Sequence, residues 1–295
     1  MEYAKTYLFV PGNAPRRFQH AVNCGADAVI FDLEDAVHPD EKNQARENII
    51  QWYEKDTAVS DVNCKKYIRL NKFGSIAFSE DIEFLNKLNN KEGLRRNEKL
   101  RNKVVKWEIV LPKIESAEML NEAREMINRN KNKLENVNII AIIETARGLH
   151  NVEEICAAGI ERVAFGSLDF SLDIHCDQSL YALLYARSRI VLASRLADLP
   201  PPIDCVNPDF THHERVLADA LHARSLGFSA KLCIHPSQID AVQQAFATDH
   251  SKIDWAKQVL KAAEHSYAFQ INGEMVDLPV IEQARQLLRS QNADD

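Results

Sequence analysis

The sequence predicts an α/β fold, a TIM (β/α)8 barrel with a helical C-terminal extension. Three observations carry that expectation. Eight short apolar runs recur between residues 7 and 234. None alternates clearly, as expected of strands buried on both faces of a parallel sheet. A helical pattern follows each run, and eight strand–helix alternations read as a closed barrel. The length, 295 residues with 45% hydrophobic composition, fits one large barrel or two domains. A doubly wound open sheet is the alternative. It invites a Gly-rich nucleotide turn, and neither a G-x-G-x-x-G nor a Walker A sequence is present.

The elements run in order. Strand Tyr7–Val10 precedes helix Arg16–Cys24, with Pro15 suited to its first turn. Ala28–Asp32 precedes Glu41–Tyr53, and Tyr67–Leu70 precedes Glu80–Leu88. Glu108–Leu111 leads to Ala117–Asn128, and Ile139–Ile143 to Val152–Ala158. Val163–Phe165 leads to Leu180–Leu196, and Ile203–Val206 to His213–Ser225. Ala230–Ile234 leads to Pro236–Phe246. The barrel is expected over residues 1–250. Residues 251–295 read as two helices around a turn-like NGEMVDLP, a lid or a surface for a neighbouring subunit. The basic stretch Lys87–Lys106 breaks the rhythm and reads as a solvated helical excursion.

Composition excludes several classes. No apolar run is long enough to span a membrane. The start, MEYAKTYLFVPG, lacks the features of a signal peptide, so a cytoplasmic location is the default expectation. A net charge of −7 argues against general nucleic-acid binding but leaves room for a small anionic ligand. The six cysteines form no C-x-x-C pair and read mostly as buried thiols.

In a barrel of this kind the active site is built at the C-terminal ends of the strands, so the clusters there matter most. Glu144 and Asp169 stop consecutive strands at equivalent places. Two adjacent carboxylates suit a hard cation such as Mg²⁺; the alternative is two strand caps facing water. Arg16 and Arg17 open a helix and form a candidate anion site, or else a surface pair. Asp32, Glu34 and Asp35 repel one another unless a metal or the first loop's arginines lie near. Arg69 can clamp a carboxylate, or pair structurally with that acidic cluster. Lys113 is a candidate anion contact or a surface lysine. Asn207-Pro208-Asp209 is a turn with little chemistry. His235 is a general acid or, preferably, a buried and satisfied imidazole. No Ser-His-Asp order, G-x-S-x-G elbow or H-E-x-x-H is present.

The strings LFVPGNAPRR, VIFDLEDAV, RLN, LPKIES, IETARGL, FGSLDFSLD, GFSAKLCIHPSQI and NGEMVDLPVIEQAR occur in order along nearly the whole chain. Together they resemble the citrate lyase β-subunit-like proteins of the HpcH/HpaI aldolase/citrate lyase superfamily. The resemblance implies a Mg²⁺-dependent barrel that makes or breaks a C–C bond beside an acyl thioester. It implies Glu144 and Asp169 as metal ligands and Arg69 at the substrate's enolate oxygen. Glu34 and Asp35 would act near the metal waters. Arg16, Arg17 and Lys113 would lie toward CoA. Asp277 would serve as acid/base from a neighbouring subunit's lid, with a pKa raised by burial, in a homotrimer. The expected ligands are a CoA thioester and a 2-oxo acid. The foremost substrate is citramalyl-CoA, giving acetyl-CoA and pyruvate. Malyl-CoA and citryl thioesters, a thioesterase or malate synthase-like activity, and a phosphoenolpyruvate-type enzyme are the alternatives. A non-catalytic subunit with an acyl-carrier partner is another. The Lys87–Lys106 segment looks longer than the family's usual link.

Overall fold

A computed structural model of the chain describes residues 3–55, 64–95, 108–128, 137–247 and 250–292. Its main unit, residues 4–246, is a closed barrel of eight parallel strands in sequential order. The strands are β1 (Thr6–Pro11), β2 (Ala28–Asp32), β3 (Lys65–Arg69), β4 (Glu108–Leu111), β5 (Asn138–Ile143), β6 (Arg162–Phe165), β7 (Ile203–Asp204) and β8 (Ala230–Cys233). β8 closes onto β1 through Thr6↔Lys231 and Leu8↔Cys233. The TIM barrel is therefore the fold.

Alternation along the strands sorts the side chains into two cores. Tyr7, Ile30, Tyr67, Val110, Ile140, Ala164, Ile203 and Leu232 fill the barrel interior. The intervening residues, with Phe31, Ile68, Ile139 and Val163 among them, pack outward against the helices. This explains the unbroken apolar runs: both faces of each strand are buried. Polar groups close the N-terminal end. Arg162 donates to the carbonyls of Ala4 and Pro201, and the Tyr67 hydroxyl donates to Glu161 at 3.0 Å.

The helices differ from the sequence expectation mostly at their ends. α1 (Pro15–Asn23) and α2 (Lys42–Lys55) follow the first two strands. α3 (Ile76–Arg95) is longer than expected and takes in the start of the basic stretch; the remainder of that stretch, 96–107, lies outside the described residues. α4 is Ala117–Asn128. Two short helices were not anticipated in the fifth loop and at the sixth strand end. α5 (Ala146–His150) precedes α6 (Val152–Ala157), and Thr145 caps α5 by accepting from Gly148 N. α7 (Ser167–Ile174) begins directly after β6, so Asp169 sits in a first helical turn and not in a loop. α8 (Leu180–Leu196), α9 (His213–Leu226) and α10 (Ile239–Ala245) complete the barrel.

β7 is shorter than the expected Ile203–Val206. Only Ile203 and Asp204 pair with β8, and beyond them the chain turns through Asn207-Pro208. Between β7 and β8, Asp204 and Lys231 make a buried ion pair at 2.6 Å. Arg187 of α8 and Asp219 of α9 complete that network. It ties two helices to two strands without leaving a buried charge unpaired.

His235 is a correction. It is exposed, not a buried imidazole. Its Nδ1 accepts from Ser237 N as a turn cap, and its ring stacks on Phe210 at 4.9 Å. The cysteines follow expectation: Cys64, Cys156, Cys205 and Cys233 are buried. Burial pushes the Cys156 and Cys233 thiols up to about 12.

The C-terminal unit, from residue 247, holds α11 (His250–Ala263) and α12 (Leu278–Asn292) around its own small core of Ala256, Val259, Val276 and Ile281. The expected turn between them is a β-hairpin, β9 (Phe269–Ile271) with β10 (Glu274–Val276). Asn272 and Gly273 both take positive φ, 52° and 88°. Asn-Gly is the pair that adopts this conformation at least cost, and it marks the hairpin in the sequence. Among the described residues no helix is long and apolar enough to cross a membrane.

Candidate active site

The strand ends converge on a cavity of about 300 Å³ at the C-terminal mouth of the barrel. β2 supplies Asp32, and the loop after it Glu34 and Asp35. The register Asp32↔Arg69 sets the arginine of β3 beside that loop. Arg69 donates from Nε and Nη2 to the two Asp32 oxygens at 2.7 and 2.6 Å. Its Nη1 lies 3.0 Å from Glu34 Oε2. The Phe9 ring lies under the guanidinium, 4.6 Å from centroid to Cζ. Asp32 also accepts from Glu34 N and Ala36 N, so one buried carboxylate shapes the whole acidic loop.

The acidic cluster does find its positive partners, but they are not Arg16 and Arg17. Both of those side chains are exposed on α1, whose cap residue Ala14 makes no side-chain bond. The partners are Arg69 and Lys113. Lys113, at positive φ after β4, sends its ammonium 2.7 Å from Glu34 Oε1, 3.2 Å from Asp35 Oδ2 and 3.8 Å from Asp169 Oδ2. Lys113 thus faces the carboxylates of the mouth.

Glu144 is 2% exposed and Asp169 is half-buried, and both line the cavity. The register Ile143↔Phe165 brings Glu144 next to Gly166. A Cβ on Gly166 would stand 2.7 Å from the Glu144 Cβ, so glycine makes room for the carboxylate. Lys113 N donates to Glu144 Oε1 at 2.7 Å. Burial, reinforced by Glu34 and opposed by Lys113, pushes the Glu144 carboxyl up to about 8. Burial likewise lifts Glu34 to about 7, against the pull of Arg69. Carboxylates crowded in this way are relieved by a cation among them.

The donor set fits a hard divalent cation. It offers carboxylate oxygens only, and the position among Glu34, Asp35 and Asp169 already attracts an ammonium. Among the described residues no three His, Cys, Asp or Glu side chains converge as a ready-made cage. A cation on Glu144 and Asp169 would therefore complete its shell with water and substrate oxygens, as Mg²⁺-sized ions do. Asp277 belongs to the C-terminal unit, just before α12, and is exposed. Within its own unit it lacks the burial expected for it.

Fold and site define a class: a TIM barrel whose mouth carries a pair of carboxylates, one buried and one half-buried, and an arginine clamp. The sequence profile of the HpcH/HpaI aldolase/citrate lyase family matches residues 5–236, and the chain belongs to that family. It is 30% identical to the human mitochondrial citramalyl-CoA lyase over 301 residues, covering 95% of this chain and 83% of that protein. It is 30% identical to the citrate lyase subunit beta of Leuconostoc mesenteroides subsp. cremoris, covering 98% and 93%. The crystal structure of CitE from Mycobacterium tuberculosis with magnesium, acetoacetate and coenzyme A superposes with a TM-score of 0.75, at 29% identity, covering 97% of each chain.

Gly166 and the apolar wall of the mouth were not singled out in the sequence. The wall residues look like ordinary strand residues there, and only closure of the barrel brings them to one cavity.

Proposed function

We propose that this protein is a Mg²⁺-dependent carbon–carbon lyase acting on a 3-hydroxy-3-carboxyacyl-CoA thioester, with citramalyl-CoA as the foremost substrate and acetyl-CoA and pyruvate as products. The observation that carries the reading is the pairing of Glu144 and Asp169 in one cavity with Arg69. The names of the lyase relatives, and the magnesium and coenzyme A bound by the CitE structure, support it.

In this reading Glu144 and Asp169 hold the metal. Mg²⁺, when bound, supplies Lewis acidity to the hydroxyl and carboxyl oxygens at C3. The protein's own groups do the rest. Glu34 and Asp35 take up the hydroxyl proton through water near the metal. The C2–C3 bond breaks, its electron pair passes to the thioester enolate, and the hydroxyl oxygen becomes the keto group. Arg69 faces the enolate oxygen. A preorganised donor of this kind is worth roughly 3–4 kcal/mol. Asp277 of a neighbouring subunit gives the proton to C2, which yields the acetyl thioester. That role places Asp277 in a buried setting which a second chain provides, so a homotrimer belongs to the proposal, as does a cytoplasmic location. Arg16 and Arg17, exposed on α1, are proposed to face the CoA phosphates.

We also infer a second reading, a citryl thioester lyase subunit with an acyl-carrier partner; the Leuconostoc relative's name, citrate lyase subunit beta, supports the subunit part. Purified protein with Mg²⁺ is expected to release a 2-oxo acid from free CoA thioesters, measured in a coupled dehydrogenase assay. Activity on free CoA esters sinks the obligate-subunit reading. Failure on malyl-, citramalyl- and citryl-CoA alike sinks the lyase proposal.

A further inference from the structure

The barrel mouth is divided in charge. Strands β2 to β6 and the turns after them supply Asp32, Arg69, Glu144 and Asp169. The neighbouring strands β7, β8 and β1 supply Val206 just past β7, then Leu232, Ile234 and Phe9. The second arc carries no charge and no side-chain hydrogen-bonding group. Leu232 is 4% exposed and Ile234 42%, so the arc runs from the cavity floor to its rim.

The cations at the mouth are already engaged. Arg69 is the one cation among the described residues that line the cavity. It carries five N–H groups. Two donate to Asp32, and Nη1 lies against Glu34. Three N–H groups make no hydrogen bond, and those on Nη1 face the Glu34 charge, which leaves Arg69 enough for one enolate oxygen. Lys113 is held by Glu34 and Asp35. Nothing on the apolar arc can pair a further carboxylate, and an unpaired charge brought against such a wall is strongly disfavoured.

The candidate thioesters differ only in the third substituent on C3: hydrogen, methyl or carboxymethyl. Resting on the lyase reading above, we infer that the third substituent is uncharged and sits against Val206, Leu232 and Ile234. The protein then selects citramalyl-CoA, accepts malyl-CoA more weakly and rejects citryl-CoA. Val206, Leu232 and Ile234 are the specificity-determining residues. A methyl group gains contact with the arc that hydrogen does not, a difference of roughly tenfold or more. A carboxymethyl group brings a charge that the arc cannot pair.

The test has two arms. In the first, kcat/KM is measured with Mg²⁺ on malyl-, citramalyl- and citryl-CoA. Citramalyl-CoA is expected to exceed citryl-CoA by about 100-fold or more. A ratio below about 10 overturns the inference, because that is less than even one methyl contact is expected to supply. Val206→Ala is expected to narrow the citramalyl-to-malyl ratio, and an unchanged ratio removes Val206 from the assignment. The second arm needs no turnover. Calorimetry with Mg²⁺ and a 2-oxo acid is expected to give tighter binding of pyruvate than of oxaloacetate. Equal or tighter binding of oxaloacetate, or binding of neither, overturns the inference. If no thioester is cleaved but pyruvate is still preferred, the lyase reading falls and the pocket assignment stands.

Discussion

Single side chains at the mouth of the barrel serve two purposes at once, and their variants separate these. Glu144 is proposed as a metal ligand and is also bonded to Lys113 N. Glu144→Gln keeps the shape and removes the charge. Calorimetry without substrate is expected to show Mg²⁺ affinity lowered by roughly 100-fold, with thermal stability retained, since burial already lifts this carboxyl. Arg69→Lys keeps a charge and loses the two-pronged grip on Asp32. We expect kcat to fall by roughly 100-fold or more. The melting temperature should fall too, because Asp32 is left buried with a poorer partner; an unchanged kcat would remove Arg69 from the chemistry. Gly166→Ala tests close packing. The new methyl meets the Glu144 side chain and Ile142 Cγ2 at 3.0 Å, and overpacking of this kind costs about 1–3 kcal/mol. Denaturant titration measures that loss, and the displaced Glu144 should weaken Mg²⁺ binding in parallel.

At the level of elements, the network of Arg187, Asp204, Asp219 and Lys231 holds α8 and α9 on the barrel wall. Burial alone would raise the Asp204 carboxyl. Lys231 and Arg187 outweigh burial and hold it below its ordinary value of 3.8. The folded pKa is thus lower than the unfolded one. The stabilisation is fully present above the unfolded value and is lost as pH falls through the folded one. The protein should therefore lose stability steeply in the acid range below 3.8. Asp204→Asn is expected to lose about 3–5 kcal/mol near neutrality, since it leaves Lys231 with an incomplete shell, and to flatten the acid slope. Urea unfolding across that pH range reads both effects. The short β7 belongs to the same picture: Asp204 turns to the network, and two residues of strand suffice.

For the whole molecule, the proposed chemistry calls for Asp277 from a neighbouring subunit. Asp277 stands exposed in its own C-terminal unit, while the proposed chemistry needs it beside an enolate. Complementation between inactive chains addresses this. Asp277→Asn and Glu144→Gln variants, each expected to be inactive alone, should recover activity when mixed and reassembled. The recovery should reach about a quarter of wild type, the share of sites in random mixing that pair an intact barrel with an intact neighbour. No recovery would mean that Asp277 acts within its own chain or does not act.

The sequence determined a parallel sheet flanked by helices, because eight apolar runs such as Ile139–Ile143 bury both faces that way, and the eightfold alternation without a Gly-rich nucleotide turn favours the closed barrel over a doubly wound sheet. It also placed Glu34, Asp35, Arg69, Glu144 and Asp169 at strand ends, since chain order alone says which residue follows a strand. The tertiary structure decided which of these groups meet. Lys113 reads equally as an anion contact or a surface lysine, and the fold sets it, at positive φ after β4, against Glu34. Arg16 and Arg17 read as the cluster's partners, yet α1 leaves them exposed. Val206, Leu232 and Ile234 carry no signal in one dimension. They become a wall only when β7 and β8 close against β1, because contact across a barrel depends on register and curvature that no local pattern records.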